Sequence, residues 1–393
     1  MKIREFRGGG RALVGTALGA STWLGCGSKA QDQACPAHAD LMIAASVESL
    51  SSVVGLASLD GGAEYLGGDP LGGDPALTSS AGRVFWLNRA SGQVLELDPT
   101  CATQIRTWSA NDDVDGGSTD PQDVAVAPDG SLWVARFYVS TLLVKSSDGS
   151  TELGSIDLSH VAGVNRNPFM SSIRIVDSGQ GAKAYVTLEM LDPATEQSTS
   201  PSYLVRLDVA TALQTGEVEA TLELKGRNPF GLIVQGEGGT LYLADLGKID
   251  ADNETTAGIE RVDLATFTSE LIVREADIGA KVAQVSITSG CGSAIVFAAN
   301  ETNNTSVITF DPTSGAIVTP LSEKLLYTPG GYKLSGMAWL PGGLNVIGAG
   351  TAVSGKGYPV HVLSRKGGCS LEETGRSLYA PDPPITLLPL PPP

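Results

Sequence analysis

A unit of about 45 residues recurs along this chain and constrains its fold more than any other feature. In its clearest copy, an alternating apolar segment at 120–127 leads to the turn residues Pro128-Asp129-Gly130, and a second alternating segment follows at 131–135. Two more short apolar segments, at 140–145 and 153–158, complete the unit. Alternation with a period of two indicates β-strands, and the Pro, Asp and Gly residues indicate turns. Each unit is therefore predicted to contain four short antiparallel strands.

The same order of segments returns several times. The copies lie near residues 41–74, 75–112, 120–162, 166–225, 227–278, 281–325 and 331–376. Four strands at this spacing are typical of one blade of a β-propeller, so we predict an all-β protein with seven blades and four antiparallel strands per blade. The first copy shows only two strands. Ring closure then borrows a strand from the other terminus, or the ring has six complete blades and an embellishment.

Two local features refine this prediction. Four third strands end in aspartate, and each aspartate is expected to hydrogen-bond the backbone of the turn that follows it. These residues are Asp98, Asp208, Asp263 and Asp311. Large aromatic residues recur near second strands, where we expect them to pack between blades. They are Trp86, Trp133, Tyr185, Tyr242, Phe297 and Trp339.

The propeller is predicted to occupy residues 41–380 as a single domain. The tail at 381–393 is rich in proline, a residue that lacks a backbone N–H and is excluded from helices and central strands. We expect this tail to be an extended, polyproline-type arm.

The N-terminus has the pattern of an export signal. Four basic residues precede a short apolar segment at 12–24, which is too short to span a bilayer as a helix. The Gly-Cys pair at Cys26 resembles the lipobox of bacterial lipoproteins. That resemblance implies a signal peptide at 1–25, a lipidated Cys26 as the first mature residue and a linker at 26–40. Cleavage after Ala30, giving a secreted chain, and an uncleaved anchor are the alternatives.

Four further cysteines, Cys35, Cys101, Cys291 and Cys369, give an even number in an exported chain. This number is consistent with two disulfides, and the absence of a CxxC motif argues against a zinc or redox site. Three pairings are possible. We favour Cys35–Cys101 and Cys291–Cys369.

Charge excludes some partners. The net charge of −17 argues against nucleic acid, because phosphate binding needs a basic surface. The chain has only three histidines, which argues against a multi-histidine metal enzyme. An envelope protein or a glycan remains as the expected partner, and contact with a membrane is expected only through the N-terminal lipid.

Residues 294–311 (AIVFAANETNNTSVITFD) resemble the YVTN-type β-propeller repeat. In that repeat a strand ends in an Asn-containing turn, and a Val-rich strand that ends in Asp follows. Residues 132–149 resemble it more loosely, and residues 120–130 are similar to the first strand of NHL repeats. The resemblance covers about residues 75–345. It implies the architecture but little about activity, because propellers carry many unrelated functions.

One tetrapeptide occurs twice, as Arg166-Asn167-Pro168-Phe169 and as Arg227-Asn228-Pro229-Phe230, and Asp120-Pro121 takes the same place one blade earlier. In a propeller this place leads from an outer strand to the innermost strand, at a mouth of the central channel. The candidate ligand-binding residues are therefore Asp120, Arg166, Asn167, Arg227 and Asn228. Two guanidinium groups there suit a carboxylate, a phosphate or a sulfated sugar. Alternatively, these loops share sequence because they share geometry.

Two acidic segments are candidate calcium sites, because calcium binds several hard oxygen ligands and tolerates loops. Their tentative ligands are Asp113 and Asp115 in one segment, and Asp250 and Asp252 in the other. Neither segment has the full spacing of an EF-hand, and a solvated acidic loop is the alternative for each.

We favour an exported, lipid-anchored propeller that acts as a ligand- or protein-binding scaffold at the bacterial cell envelope, on the outer membrane or otherwise in the periplasm or outside the cell. No catalytic residues are assigned. The alternative is a calcium-dependent hydrolase of the lactonase or esterase type. Gluconolactonase-like hydrolases hold a channel metal with Glu, Asn, Asn and Asp, and Asp120, Asn167 and Asn228 have suitable types, although no convincing Glu accompanies them.

Overall fold

A computed structural model describes residues 35, 38–47, 51–59, 62–64, 74–111, 117–161, 166–177, 179, 181–198, 200–248, 251, 254–298, 304–329 and 333–390. In this part of the chain, the strands form seven antiparallel sheets of four strands each. Helix is limited there to α1 (Ala212–Thr215), α2 (Glu275–Ile278) and short 3₁₀ turns at Glu237–Gly239 and Leu321–Glu323. The predicted all-β class and the seven blades are confirmed.

The seven sheets stand around a central channel. Blade 1 consists of β28 (Pro384–Pro389), β1 (Leu41–Val47), β2 (Ser51–Ser58) and β3 (Gly62–Glu64), from the channel outwards. Blade 2 comprises β4 (Pro75–Ser80), β5 (Arg83–Asn88), β6 (Gln93–Leu97) and β7 (Gln104–Ser109). Blade 3 comprises β8 (Pro121–Val126), β9 (Leu132–Arg136), β10 (Thr141–Lys145) and β11 (Glu152–Asp157). Blade 4 comprises β12 (Met170–Asp177), β13 (Ala182–Leu188), β14 (Tyr203–Asp208) and β15 (Ala220–Glu223). Blade 5 comprises β16 (Val234–Gln235), β17 (Thr240–Asp245), β18 (Gly258–Asp263) and β19 (Thr268–Arg274). Blade 6 comprises β20 (Lys281–Thr288), β21 (Cys291–Ala298), β22 (Asn304–Phe310) and β23 (Ile317–Thr319). Blade 7 comprises β24 (Leu334–Leu340), β25 (Leu344–Ala349), β26 (Tyr358–Gly367) and β27 (Ser370–Ala380).

The C-terminal tail closes the ring, so the prediction of a polyproline arm at 381–393 is wrong. Strand β28 pairs with β1 from Leu41↔Pro389 to Ala45↔Pro384 and packs between β24 and β4. It is the innermost strand of its blade, so one of its edges faces the channel and needs no partner. Proline is tolerated on such an edge, and the prolines of β28 lie at its two ends. The strand borrowed from the other terminus is therefore this tail.

The core lies between the blades. Seven clusters of buried apolar side chains each join two neighbouring blades, from blades 1 and 2 round to blades 7 and 1. The six predicted inter-blade aromatics all belong to these clusters, and none is more than 8% exposed. Burying a side chain of this size contributes about 1.5–3 kcal/mol, so every blade depends on its neighbours for stability.

The antiparallel order of strands gives the ring two different rims. The upper face, as we define it, carries the links from each outer strand to the next inner strand and the turns between second and third strands, such as residues 110–120 and 137–140. The lower face carries the turns between first and second and between third and fourth strands, such as residues 127–131 and 98–103. On the upper face the two kinds of loop touch: the amide of Phe137 donates to the carbonyl of Asp120 at 2.9 Å.

The aspartates that end third strands hold turns of the lower face, as predicted. Each accepts backbone N–H groups from residues two or three positions later in the chain, for example Asp311 from Thr313 and Ser314, both at 2.8 Å. Hydrogen bonds stabilise an ionised carboxyl, and here they lower the pKa of all four aspartates below the usual value. The main donor is Thr100 for Asp98, Lys183 for Asp208, Thr266 for Asp263 and Ser314 for Asp311.

Both favoured disulfides, Cys35–Cys101 and Cys291–Cys369, are present. Cys101 lies in the turn between β6 and β7, Cys369 lies in the turn between β26 and β27, and Cys291 begins β21 directly after a first-to-second-strand turn. Both bridges therefore lie on the lower face. No helix within the described ranges is long and apolar enough to cross a membrane.

Candidate functional site

The five candidate ligand-binding residues all lie on the upper face, in links that lead into inner strands. Asp120 directly precedes β8, and Arg166 and Asn167 shortly precede β12. Arg227 and Asn228 precede Pro229, which forms a bridge with Asp245 of β17. The structure thus places the residues on one rim of the ring, as their positions in the sequence suggested.

The two copies of the tetrapeptide are not equivalent in conformation. Asn228 has φ 55° and its carbonyl accepts from Leu246, just as Asp120 has φ 55° and accepts from Phe137. In the other copy this position belongs to Phe169, with φ 57°. The identical sequences are therefore offset by two residues, and Asn167 and Asn228 do not occupy the same place.

The asparagine side chains hold loops of the upper face together. Asn167 Nδ2 donates to the carbonyl of Phe137 at 2.9 Å, and its Oδ1 accepts from the amide of Phe169 at 3.1 Å. Asn228 Nδ2 donates to the carbonyl of Gly247 at 3.1 Å, while its Oδ1 is buried with no hydrogen-bond partner. Both the oxygen and the nitrogen of the Asn167 side-chain amide are therefore hydrogen-bonded. Of the two asparagines, Asn228 is the one whose side-chain oxygen can accept a further hydrogen bond.

Asp120 is 6% exposed and its Oδ1 accepts from Gln122 Nε2 at 2.6 Å. The oxygen of the Gln122 amide in turn accepts from Arg89, whose guanidinium also pairs with Asp74. Asp74 precedes Pro75 and has φ 49°, so it takes the same position in its blade as Asp120. This chain of side chains joins blades 2 and 3 at the channel mouth, and sequence analysis missed its Asp74 and Arg89 members.

The two candidate arginines differ. Arg166 Nη2 makes long hydrogen bonds of 3.3 Å to the carbonyl of Met190 and to Ser200 Oγ. Arg227 is partly buried and, among the described residues, its guanidinium has no hydrogen bond or ion pair. Its backbone is fixed, because the Arg227 amide donates to Thr256 and its carbonyl accepts from Gly247. The backbone that carries Arg227 is thus fixed, and the donors of its guanidinium are available within the described part of the chain.

A solvent-exposed aromatic residue lies next to Phe137, whose carbonyl binds Asn167. Tyr138 is 43% exposed in the turn after β9, and its ring meets the buried Phe137 ring edge-on at 5.1 Å. Phe137 also packs on Phe169 and, through its carbonyl, holds Asn167. A large exposed side chain on a buried aromatic support was not predicted, because the sequence does not show which residues of a short turn face solvent.

The four tentative calcium ligands, Asp113, Asp115, Asp250 and Asp252, lie outside the described residues. Within the described part, no group of three or more His, Cys, Asp and Glu residues is arranged to hold a metal ion. For a channel metal, Asn167 has its oxygen engaged, and Asp120 accepts from Gln122. Asp120, Asn167 and Asn228 therefore do not offer a common set of free oxygens.

Two buried acidic groups near the upper face were not predicted. Asp123 of β8 accepts four hydrogen bonds, from Thr78 Oγ1, Ser172 Oγ and the amides of Val124 and Ile173, at 2.6–3.0 Å. These bonds join the inner strands of blades 2, 3 and 4. Burial raises the pKa of Asp123, and the charge of Arg174 and the hydrogen bonds from Ser172, Thr78 and Ile173 oppose that rise.

The second group is a pair of carboxyls between blades 4 and 5. Glu260 is fully buried and accepts from the amides of Lys225 and Gly226 at 2.8 and 2.7 Å. Asp245 is equally buried, packs over Gly226, and neither of its oxygens accepts a hydrogen bond. Burial, and then the charge of Glu260, raise the pKa of Asp245 well above its usual value. The pair secures the link just before Arg227.

Comparisons with known proteins identify the fold. No family model and no curated protein sequence matches this chain. Among solved structures, the chain resembles the periplasmic gluconolactonase of Pseudomonas aeruginosa, at 15% identity and a TM-score of 0.59, over 90% of this chain and 99% of that chain. It resembles a putative 6-phosphogluconolactonase of Bacteroides fragilis at 14% identity and a TM-score of 0.59, over 89% and 98%. Virginiamycin B lyase of Staphylococcus aureus is similar at 12% identity and a TM-score of 0.50, over 79% and 91%. At such identities these likenesses show a shared fold.

Proposed function

We propose that this protein is an exported, lipid-anchored β-propeller that binds a ligand carrying a carboxylate, phosphate or sulfate group on its upper face. The observation that carries the proposal is Arg227. Its backbone is fixed at both the amide and the carbonyl, while its guanidinium has no partner within the described residues. A guanidinium offers five donors in a planar fork that matches an oxyanion, so a prepositioned and unpaired arginine is suited to bind one.

The surroundings of Arg227 favour the same class of ligand. Lys225 lies two residues before Arg227 in the chain. Lys248 follows Gly247, whose amide donates to the carbonyl of Arg227. Neither lysine has an ion pair in the described part of the chain. Three cations without an ion pair among the described residues therefore lie on neighbouring backbone segments of a chain with a net charge of −17. Tyr138 supplies an exposed ring on the same face, the kind of surface on which a sugar can stack.

Two disulfides support export, because such bonds persist in oxidising compartments. The structural likeness to a protein described as periplasmic agrees with that location. The lipid anchor rests on the sequence at Cys26, which lies outside the described residues.

Binding can be tested by calorimetry with three acidic saccharides: tri-galacturonate, a heparin tetrasaccharide and mannose 6-phosphate. We expect one of these classes to bind, and Arg227→Ala to weaken binding at least tenfold, as expected for loss of a charge-assisted hydrogen bond of about 1.5–3 kcal/mol. Arg261→Ala is the matched control, because Arg261 lies in β18 and its guanidinium pairs with Glu270 and with the lower-face residue Thr313. Equal losses in both variants, or binding of none of the three saccharides, would contradict the proposal.

A lactone hydrolase is the second candidate, and it is supported by the fold shared with proteins described as gluconolactonases. This reading predicts hydrolysis of glucono-δ-lactone above the spontaneous rate. It further predicts that EDTA abolishes the activity and that Asn228→Ala reduces it, because Asn228 has the available buried oxygen. Metal-dependent turnover of this kind would replace the scaffold function.

A further inference from the structure

The N-terminal segment is covalently fixed to one face of the propeller. Cys35 is bonded to Cys101 in the turn between β6 and β7 of blade 2, on the lower face. From Asp40 the chain enters β1, which begins at the lower rim because Leu41 pairs with Pro389 at the lower end of β28. The chain therefore reaches the ring from below, and the disulfide holds it there.

The end of β28 and the second disulfide lie on the same face. Strand β28 runs downwards, and the amide of Leu390, just beyond it, donates to the carbonyl of Asp40 at 3.0 Å. Cys291–Cys369 joins lower turns of blades 6 and 7. The five candidate ligand residues lie on the opposite rim.

We infer that the anchored protein stands on a lipid bilayer with its lower face towards the membrane, and that it presents the upper face to the aqueous compartment. This inference rests on the proposed function, because it takes Cys26 as the lipidated residue. Only eight residues lie between Cys26 and Cys35, so the segment from one cysteine to the other spans at most about 30 Å when fully extended. Because the disulfide fixes Cys35 to blade 2, this short tether keeps the lower rim near the bilayer.

The orientation determines which partners can reach the candidate site. The strands are typically six residues long, so the two rims are separated by about 20 Å. Arg227 and Tyr138 are therefore directed away from the lipid headgroups. The ligand comes from the aqueous side, as a soluble molecule or as part of a structure facing the membrane, and is not a lipid headgroup of the anchoring leaflet.

Fluorescence energy transfer from two positions in one blade can test the orientation. Glu217 on the lower face and Ala194 on the upper face of blade 4 are both exposed, and neither belongs to the candidate site. The acylated full-length protein, carrying Glu217→Cys or Ala194→Cys with a donor dye, is reconstituted in liposomes with an acceptor-labelled headgroup. We expect clearly stronger transfer from position 217, with a dye pair whose Förster distance is close to the height of the ring.

A matched variant tests the cause. Removing the tether bond with Cys35→Ser and Cys101→Ser together should bring the two transfer efficiencies closer, while the anchor still holds the protein on the liposomes. Equal transfer from both positions in the disulfide-bonded protein, or stronger transfer from position 194, overturns the inferred orientation and leaves the anchor standing. Failure of the unsubstituted protein to float with liposomes, as expected for a Cys26→Ser control, instead overturns the anchor itself and the inference with it.

Discussion

Replacing Asp123 by alanine removes the one carboxylate that joins the inner strands of three blades. Its Oδ1 accepts from Thr78 Oγ1 and the Val124 amide, and its Oδ2 accepts from Ser172 Oγ and the Ile173 amide. The side chain is buried, so water cannot replace it easily. The alanine variant therefore leaves four donors without an acceptor.

The cost can be estimated from those donors. A buried donor without a partner costs about 1–3 kcal/mol. The two hydroxyls can rotate to other acceptors, but the two amides are fixed in the strands and keep their full penalty. We expect Asp123→Ala to lower the free energy of unfolding by about 4 kcal/mol. With a slope of about 3 kcal/mol per molar urea, the midpoint should fall by about 1.3 M.

Urea unfolding monitored by tryptophan fluorescence and circular dichroism measures this change, with Asp129→Ala as the control. Asp129 is in the same blade, but it is exposed and accepts only from Ser131, so its loss should cost under about 1 kcal/mol. Asp123→Asn distinguishes the charged from the neutral carboxyl. If Asp123 is ionised, the asparagine N–H₂ opposes two donors and costs about 2 kcal/mol. An asparagine variant as stable as the control would refute the ionised carboxylate.

Three further perturbations follow from the structure. Replacing Asp245 by asparagine should make the free energy of unfolding depend less on pH. Because the pKa of Asp245 is raised in the folded protein, the native protein loses stability as the pH rises from about 4 to that pKa. Melting temperatures at pH 5 and pH 9 measure this, and parallel pH profiles for both proteins would contradict it. Replacing Cys291 and Cys369 together by alanine should cost about 4 kcal/mol, because the bridge closes a loop of 78 residues; an unchanged urea midpoint would argue against this. Deleting residues 384–390 should abolish cooperative unfolding of the monomer, as judged by circular dichroism and gel filtration, because the inner strand of blade 1 is lost. A truncated chain with the full-length midpoint would contradict ring closure by β28.

The blades could be predicted because their signals are local. Alternation and turn residues lie within a few positions of one another, and the aspartates that end third strands bind the turn directly beyond them. The role of the tail as an inner strand could not be predicted from such local signals. Its prolines argue against a strand with two neighbours, but an inner strand has only one. Whether proline is tolerated therefore depends on the strand's place in the ring, which appears only when the ring is assembled.

The candidate site shows a different limit. The repeated tetrapeptide correctly indicated loops on one rim, but it did not show which residue adopts positive φ. Asn228 does so in one copy and Phe169 in the other. An asparagine before a proline can adopt that conformation or use its side chain to hold the next turn, as Asn167 does, and both solutions satisfy the backbone. The sequence is the same in both cases, so the choice depends on contacts with the neighbouring blade.

The two faces of the ring carry groups with opposite effects on stability. The lower face carries two disulfides and aspartates that hydrogen-bond the backbone of their turns, and both features stabilise the fold. Among the described residues, the upper face carries the groups that lower stability: an acid pair without a counter-charge, an amide oxygen without a donor and a guanidinium without an acceptor. Groups of this kind lower stability and are expected where a protein binds something. A structural role for the whole ring would explain the lower face, but it gives no reason for holding Arg227 in place and leaving it unpaired.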